Sequence, residues 1–439
     1  MTAMRLPLPD LLATRNGRLL AFFMLYVTEG IPLGFTATAI ATQMRRQGLG
    51  PAEIGAFVGS LYLPWAFKWV MGPFVDTFSS DRFGRRRLWI LAMQLGMVGT
   101  LVIAMPVNYV TQLGLFTFVI ALHNACAATM DVAIDALAVQ VLPEHERGIA
   151  NGFMFAGASI GQAIGGAGVL FLTGWVSLQQ SYVFVMGAIL CVTAFIVLPL
   201  KEPAGPKRAR RASGAAAAVG RELTAFVRDS WRAFTGSRAA LVGVIVSLLP
   251  IGAMALSLAL QSNLAVELGM DDNAVAQLNL ATTVIFAFAC VAGGWLSDRF
   301  GRRRMLALFI FLTVLPTLWL AWAMWQAGWI MPVEVNAPNR AQPSAALVTT
   351  FWAASIAFNV AQGLYYGVRS ALFMDVTTKA VAATQFTAYM ALSNLVTTYT
   401  SWWQGMSIVR WGYPVTLAID CVAGVVVIFL LPLMRPKVG

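Results

Sequence analysis

The chain has 439 residues, of which 59% are hydrophobic and only 11% are charged. Soluble domains carry about 25% charged residues, so this composition excludes an ordinary soluble protein and indicates that lipid surrounds much of the chain. The net charge of +11 does not predict a nucleic-acid partner, because the basic residues form short clusters between apolar runs rather than a surface stripe.

Apolar runs long enough to cross a bilayer as a helix recur along the chain. They predict helices over 19–43, 53–75, 88–106, 113–141, 148–175, 181–200, 240–266, 273–297, 304–326, 347–374, 380–409 and 412–433. The predicted fold class is an all-α membrane protein with twelve transmembrane helices in two pseudo-symmetric six-helix bundles. The predicted domains are an N-terminal six-helix bundle over 1–200, a basic cytoplasmic linker over 201–239 and a C-terminal six-helix bundle over 240–439.

The loops between these runs differ strongly in their content of lysine and arginine. Most of the 30 basic residues fall in segments that are cytoplasmic if the amino terminus lies inside the cell. Basic loops resist translocation across the membrane. The sequence therefore predicts a multi-pass protein of the inner membrane with both termini in the cytoplasm.

A basic motif occurs once in each half of the chain. The heptapeptide Asp81–Arg87 follows the second apolar run, and an identical one, Asp298–Arg304, follows the eighth. Their separation is close to half the chain length, which indicates an internal duplication. Two related halves are typical of a rocking transporter, whose site is expected between the halves near the middle of the membrane.

Each heptapeptide is associated with a Gly-x3-Asp pattern, Gly72–Asp76 in the first half and Gly294–Asp298 in the second. These two copies resemble the signature loop of the major facilitator superfamily. A carboxylate at the end of one helix can pair with an arginine and hold neighbouring helices in one conformation, as a latch does. The first copy has two aspartates where the second has one, so both remain candidates. The predicted latch residues are Gly72, Asp76, Asp81, Arg82, Arg86, Gly294, Asp298, Arg299 and Arg302.

A finer resemblance is spread over most of the chain and is densest in its first half. The segments Thr28–Phe35, Leu63–Trp69, Met130–Ala136, Val141–Gly148 and Ala383–Phe386 are similar to the AmpG-like muropeptide permeases and their relatives, the acetyl-coenzyme A transporters. The resemblance implies proton-driven import of a polar, mid-sized solute, with an anhydromuropeptide or similar amino-sugar peptide as the expected substrate. An acyl-group carrier, a siderophore permease, a drug exporter of the same superfamily and a transporter-like receptor remain open.

Carboxylates inside apolar runs are costly to insert, so those that remain are candidates for function. Asp131 and Asp135 lie one helical turn apart on the fourth run, and Glu29 lies in the first. Close carboxylates in a cavity with little water favour the binding of a proton. Glu29, Asp131 and Asp135 are therefore the predicted proton-coupling residues. A structural ion pair of Glu29 or Asp131 with Lys68 is the alternative.

The predicted substrate-binding residues lie in both halves. Lys68 in the second run and Arg369 in the tenth could bind an anionic group of the solute, which arginine does best when the group is planar. Asn359, Gln362 and Tyr366 share a helix face with Arg369. The alternative for Arg369 is that its side chain extends to water at the end of its helix.

No P-loop, dinucleotide fingerprint or metal-spaced cluster of histidine and cysteine occurs in the sequence, so we expect no cofactor, no metal and no enzymatic activity. A membrane transferase would need a histidine or carboxylate constellation at one membrane face. The pattern Gly157-x-Ser159-x-Gly161 matches a hydrolase nucleophile elbow, but it lies in an apolar run, and together with Gly165 it predicts close helix packing. The expected partners are a small-molecule substrate, protons and lipid, and the expected functional unit is a monomer.

Overall fold

The computed structural model describes residues 10–47, 57–58, 60–77, 84–202, 227–257, 259–270, 272–332 and 342–434. Most of the predicted linker, together with Asp81 and Arg82, lies outside these ranges. Within them the regular secondary structure is helical, and no β-strand occurs in this described part of the chain.

The first half of the described chain includes seven helices with defined bounds. Two of them, α2 (Leu63–Ala66) and α3 (Gly72–Thr77), are short and flank a 3-10 turn at Lys68–Met71, so the second predicted run is broken rather than continuous. The capping box of Ser177 and Gln180 begins the last helix, because each side chain bonds the backbone N–H of the other. The long helices are α1 (Arg15–Met44), α4 (Arg86–Ala104), α5 (Leu113–Val141), α6 (Glu144–Leu172) and α7 (Leu178–Val197).

The second half contains two short helices, α8 (Arg238–Ser247) and α9 (Ala259–Glu267), which divide the seventh predicted run. The last helix, α13 (Ala382–Leu433), has a break at Gly412, where φ is 81°. Nine helices of the described residues are long and apolar enough to cross a membrane. Two of the twelve predicted runs are broken into short helices, and the last two runs lie together in α13 on either side of its break. These differences account for the smaller number. The other helices are α10 (Asp272–Phe300), α11 (Arg302–Gln326) and α12 (Ala345–Val376).

The chain divides into two compact units. The first comprises Met1–Glu146, Gly157–Ala233 and Thr377–Ala388, and the second comprises Arg147–Ala156, Phe234–Val376 and Tyr389–Gly439. Each unit therefore includes a short segment from the opposite half of the sequence, because Arg147–Ala156 of α6 belongs to the second unit and the start of α13 belongs to the first. The assignment of bundles to 1–200 and 240–439 stays a prediction.

Glycines allow α1 and α6 to pack backbone against backbone within the first unit. A methyl group added at Gly161 would lie 2.5 Å from the carbonyl oxygen of Val27, and one at Gly165 would lie 1.9 Å from that of Ile31. Such distances leave no room for any side chain. The repeated spacing of small residues thus serves close helix packing, as the sequence predicts.

Candidate functional site

A buried ion pair lies in the first unit. The Lys68 ammonium donates a hydrogen bond to the Asp131 carboxylate, and the two residues are only 6% and 3% exposed. Lys68 lies in the 3-10 turn between α2 and α3, with its nitrogen 5.6 Å from the centre of the Trp65 ring. The break in the second run therefore places a cation beside α5, and the predicted structural alternative for Asp131 is observed.

Two further carboxyl groups belong to the same cluster. Asp135 lies one turn after Asp131 on α5, and the Tyr26 hydroxyl of α1 donates to it at 2.7 Å. Glu29, also on α1, lies within electrostatic reach of Asp131, Lys68 and Asp135. One of its carboxyl oxygens is buried and accepts no hydrogen bond from the described residues. We call Glu29, Lys68, Asp131 and Asp135 the acidic cluster.

The acidic cluster is unbalanced in charge. It contains three carboxyl groups and one ammonium group, so full ionisation would leave two negative charges without a partner inside the cluster. Burying an unpaired charge is strongly unfavourable, and a proton bound to one carboxyl group removes part of that cost. The arrangement can therefore hold and release a proton.

The first copy of the predicted latch is built around Asp76 at the end of α3. Asp76 accepts hydrogen bonds from the backbone N–H of Thr384, at 2.9 Å, and of Ala383, at 3.3 Å, where α13 begins. Arg86 donates to the Asp76 carboxylate at 2.6 Å, and both side chains are 1% exposed. A methyl group at Gly72 would lie 2.8 Å from the Cα atom of Thr384. Asp76 thus makes contacts that suit a latch, while Asp81, the other candidate, lies outside the described residues.

The second copy repeats this construction around Asp298 near the end of α10. Asp298 accepts hydrogen bonds from the backbone N–H of Gly148, at 3.0 Å, and of Ile149, at 2.8 Å, where α6 begins. Arg302 donates to Asp298 at 3.0 Å. A methyl group at Gly294 would lie 2.2 Å from the Gly148 carbonyl oxygen. An aspartate at one helix end therefore caps the start of another helix, where the helix dipole favours a negative charge.

Arg147 and Asp375, which the sequence did not single out, extend the second copy. Asp375 at the end of α12 accepts a hydrogen bond from Arg302 and another from Arg147, the latter at 2.8 Å. Arg147 and Asp375 lie at the ends of apolar runs, where a charge is easily interpreted as anchoring only. The predicted latch residue Arg299 is exposed, and its guanidinium lies 5.7 Å from the centre of the Trp295 ring.

The predicted substrate-binding residues of α12 are only partly brought together. The Arg369 guanidinium lies 4.4 Å from the centre of the Tyr366 ring, and its Nε is buried with no hydrogen-bond partner among the described residues. Asp375, on the same helix, pairs with arginines other than Arg369. Asn359 donates to a carbonyl of its own helix at 2.8 Å, and Gln362 bonds its neighbour Tyr365.

Aromatic rings hold Tyr366 in place. Phe155 and Phe286 meet it edge to face, with ring centres 4.6 Å and 5.5 Å away. A fixed aromatic face with an arginine against it offers stacking and a positive charge at the same place. This geometry can bind a ligand that combines a ring or an apolar surface with a carboxylate or phosphate.

Comparison with known proteins identifies relatives by sequence. Residues 19–333 match the profile of the Major Facilitator Superfamily. An anhydromuropeptide permease of Escherichia coli (strain K12) is 30% identical over 176 residues, which are 39% of this chain and 35% of that protein. A putative transporter AmpG 4 of Rickettsia conorii (strain ATCC VR-613 / Malish 7) is 28% identical over 187 residues, which are 42% of this chain and 45% of that protein. The matched stretch thus spans less than half the length of these relatives.

Comparison of structures finds the same architecture over nearly the whole chain. The proton:xylose symporter XylE, bound to 6-bromo-6-deoxy-D-glucose, superimposes with a TM-score of 0.64 and 13% identity, covering 96% of this chain and 97% of that one. The Escherichia coli fucose:proton symporter FucP gives 0.61 and 14% identity, covering 95% and 98%. At this identity the likeness concerns the fold. The predicted fold class, an all-α membrane protein of the twelve-helix type, is confirmed.

Proposed function

Because the chain belongs to the Major Facilitator Superfamily, we propose that it is a proton-coupled symporter that imports a polar, mid-sized solute across the inner membrane. The proposed solute is an anhydromuropeptide or a related amino-sugar peptide. In this proposal both termini are cytoplasmic, the protein works as a monomer, and the two latches open and close as the transporter changes conformation.

The charge balance of the acidic cluster is the observation that carries the proposal. Binding of a proton changes the stability of a buried cluster with three carboxyl groups and one ammonium group. A conformational change that admits water changes the stability of the cluster again. A proton bound in one conformation and released in another is what couples solute movement to the proton gradient.

Glu29 is the best candidate for the coupling proton. Asp131 is neutralised by Lys68, and Asp135 receives a hydrogen bond from the Tyr26 hydroxyl, so both carboxylates have a partner that favours the ionised form. Glu29 has a buried oxygen that accepts no hydrogen bond from the described residues. Protonation of Glu29 therefore places a proton on a carboxyl group that has a buried oxygen unpartnered in the described part of the chain and shares its cation, Lys68, with Asp131.

Arg369 and Tyr366 support an anionic solute with a ring. Arginine matches the planar carboxylate of a peptide, and an aromatic face can stack on a sugar ring. An anhydromuropeptide joins a sugar to a peptide with free carboxylates. The relative from Escherichia coli that carries the name anhydromuropeptide permease supports the same class of solute.

Uptake into proteoliposomes with an acidic exterior tests the proposal. Labelled anhydromuropeptide, acetyl-coenzyme A and a ferric siderophore are compared, each with and without a protonophore. We expect the muropeptide to accumulate and the protonophore to abolish its accumulation. Accumulation of another of these solutes would identify that solute as the substrate instead. Accumulation that the protonophore does not affect would refute proton coupling.

Variants separate the proton from the solute. We expect Glu29→Gln to lose gradient-driven accumulation but to keep exchange of labelled for unlabelled solute, because exchange needs no net proton movement. Asp229→Asn, at an exposed aspartate, is the matched control. Accumulation that survives in both Glu29→Gln and Asp131→Asn would contradict the assignment of the proton to the cluster.

The solute site has its own pair of variants. Arg369→Ala is expected to abolish binding of the anionic solute. Arg410→Ala is the matched control, because Arg410 is exposed and its guanidinium lies 5.4 Å from the centre of the Trp411 ring. Unchanged solute binding in Arg369→Ala would remove Arg369 from the site.

A further inference from the structure

The seventh apolar run is interrupted between α8 and α9, and its free backbone groups are bonded by two other helices. Gly252, with φ of 80°, donates its N–H to the carbonyl of Gly424 at 3.0 Å. Ala253 donates to the Thr313 hydroxyl at 2.9 Å. Because a broken helix in a membrane must satisfy these groups internally, α11 and α13 hold the interruption in one defined shape.

The next two backbone groups are bonded by a carboxylate. Asp420 of α13 accepts hydrogen bonds through one oxygen from the N–H of Met254, at 2.7 Å, and of Ala255, at 2.9 Å. Its other oxygen accepts from the Gln404 amide at 2.8 Å. Asp420 is 0% exposed. This one side chain therefore holds the backbone segment that leads into α9.

No cation accompanies this carboxylate in the described part of the chain, since every donor that bonds Asp420 is neutral. The titratable groups near it are the Tyr365 hydroxyl of α12 and the neighbouring Cys421 thiol. From α11 the Thr317 hydroxyl bonds the Cys421 thiol, and the interrupted run offers its backbone N–H groups to Asp420. A buried carboxylate held only by neutral donors is a candidate for reversible protonation.

The Gln404 side chain provides a second observation that points to the same ligand. Gln404 is 2% exposed, and its carbonyl oxygen is buried without a hydrogen-bond partner among the described residues. A protonated Asp420 could donate its O–H to this oxygen after the amide turns over, since the amide carries a donor and an acceptor on the same group. The site thus has a bonding arrangement ready for each proton state of Asp420.

We propose that Asp420 is a second proton-binding site, separate from the acidic cluster, and that its proton state controls how firmly the interrupted seventh run is held. The ionised carboxylate makes charge-assisted hydrogen bonds to Met254 and Ala255, which are stronger than those of a neutral carboxyl group. Proton binding weakens both and loosens the interruption. The inference concerns proton binding and local mobility in the second unit, so it does not depend on which solute the protein carries.

Hydrogen exchange of the full-length protein in lipid nanodiscs tests the proposal. The measurement follows peptides that cover 249–257 between mildly alkaline and mildly acidic pH, with correction for the chemical exchange rate. We expect exchange to become about tenfold faster in acid, the change expected when a charge-assisted hydrogen bond becomes a neutral one. Asp420→Asn should exchange fast at every pH. Exchange in the wild type that does not depend on pH would overturn the proposal.

Two further variants separate proton binding from simple support of the backbone. Thr313→Val removes the bond to Ala253 without touching Asp420, so exchange should rise while its pH dependence stays. Asp135→Asn, in the acidic cluster, should keep the pH dependence of the exchange of 249–257. If Asp420→Asn does not fold, the wild type and these two variants still decide. A pH dependence lost in Asp135→Asn would assign the proton to the first unit and overturn the proposal.

Discussion

Replacement of Gly294 by alanine tests the second latch directly. The added methyl group would lie 2.2 Å from the Gly148 carbonyl oxygen, whereas ordinary van der Waals contact begins near 3.4 Å. The start of α6 must therefore move away from Gly294 by a distance greater than a hydrogen bond can stretch. Asp298 then loses at least one bond to the N–H of Gly148 or Ile149, which now measure 3.0 Å and 2.8 Å. A hydrogen bond to a charged group contributes about 1.5–3 kcal/mol. The fraction of molecules in which this latch is open should therefore rise about tenfold or more.

Cys290 is a natural reporter of this opening. It is buried one turn before Gly294, and a methyl group at Gly152 of α6 would lie 2.3 Å from its carbonyl oxygen. With the other three cysteines replaced by alanine, the rate of maleimide labelling of Cys290 in nanodiscs reports how often α6 moves away. Gly187→Ala is the matched control, because no atom lies within 4 Å of its added methyl group. Equal labelling rates in Gly294→Ala and Gly187→Ala would refute the reasoning.

Two other predictions concern the first unit. Lys68→Met leaves the carboxylates of the acidic cluster without their cation and should lower the free energy of unfolding by about 3–5 kcal/mol, and the double variant with Asp131→Asn should recover most of this loss. Denaturant unfolding in detergent measures both, and no recovery would contradict the pairing. Gly165→Ala should lower the thermal unfolding temperature clearly, since its methyl group would lie 1.9 Å from a backbone oxygen, whereas Gly99→Ala, which meets no atom within 4 Å, should not. Equal temperatures would disprove the close packing of α1 and α6.

Much of the fold could be predicted because hydrophobic length is a strong signal in a membrane protein. The fourth run, 113–141, coincides with α5 (Leu113–Val141). The interruptions were not predicted, because run length does not reveal where neighbouring helices supply hydrogen bonds to a broken backbone. Gly252 is an example: its conformation depends on Gly424 and Thr313, which are distant in sequence.

The candidate site was predicted unevenly for a similar reason. Asp76 and Asp298 lie in a repeated motif, so the duplication pointed to both, but the bonds of Asp76 to Thr384 could not be predicted from the motif. Asp375 and Asp420 belong to no repeated motif. Their importance comes from partners on other helices, and a sequence does not state which helices are neighbours.

Proton movement during solute entry tests the central proposal most directly. Proteoliposomes that contain a pH-sensitive dye are given anhydromuropeptide from outside with no initial pH gradient, and the wild type is compared with Glu29→Gln. The account predicts that the interior of wild-type vesicles acidifies as solute enters and that Glu29→Gln vesicles do not acidify. Solute entry at the same rate in both, without acidification in either, would contradict it.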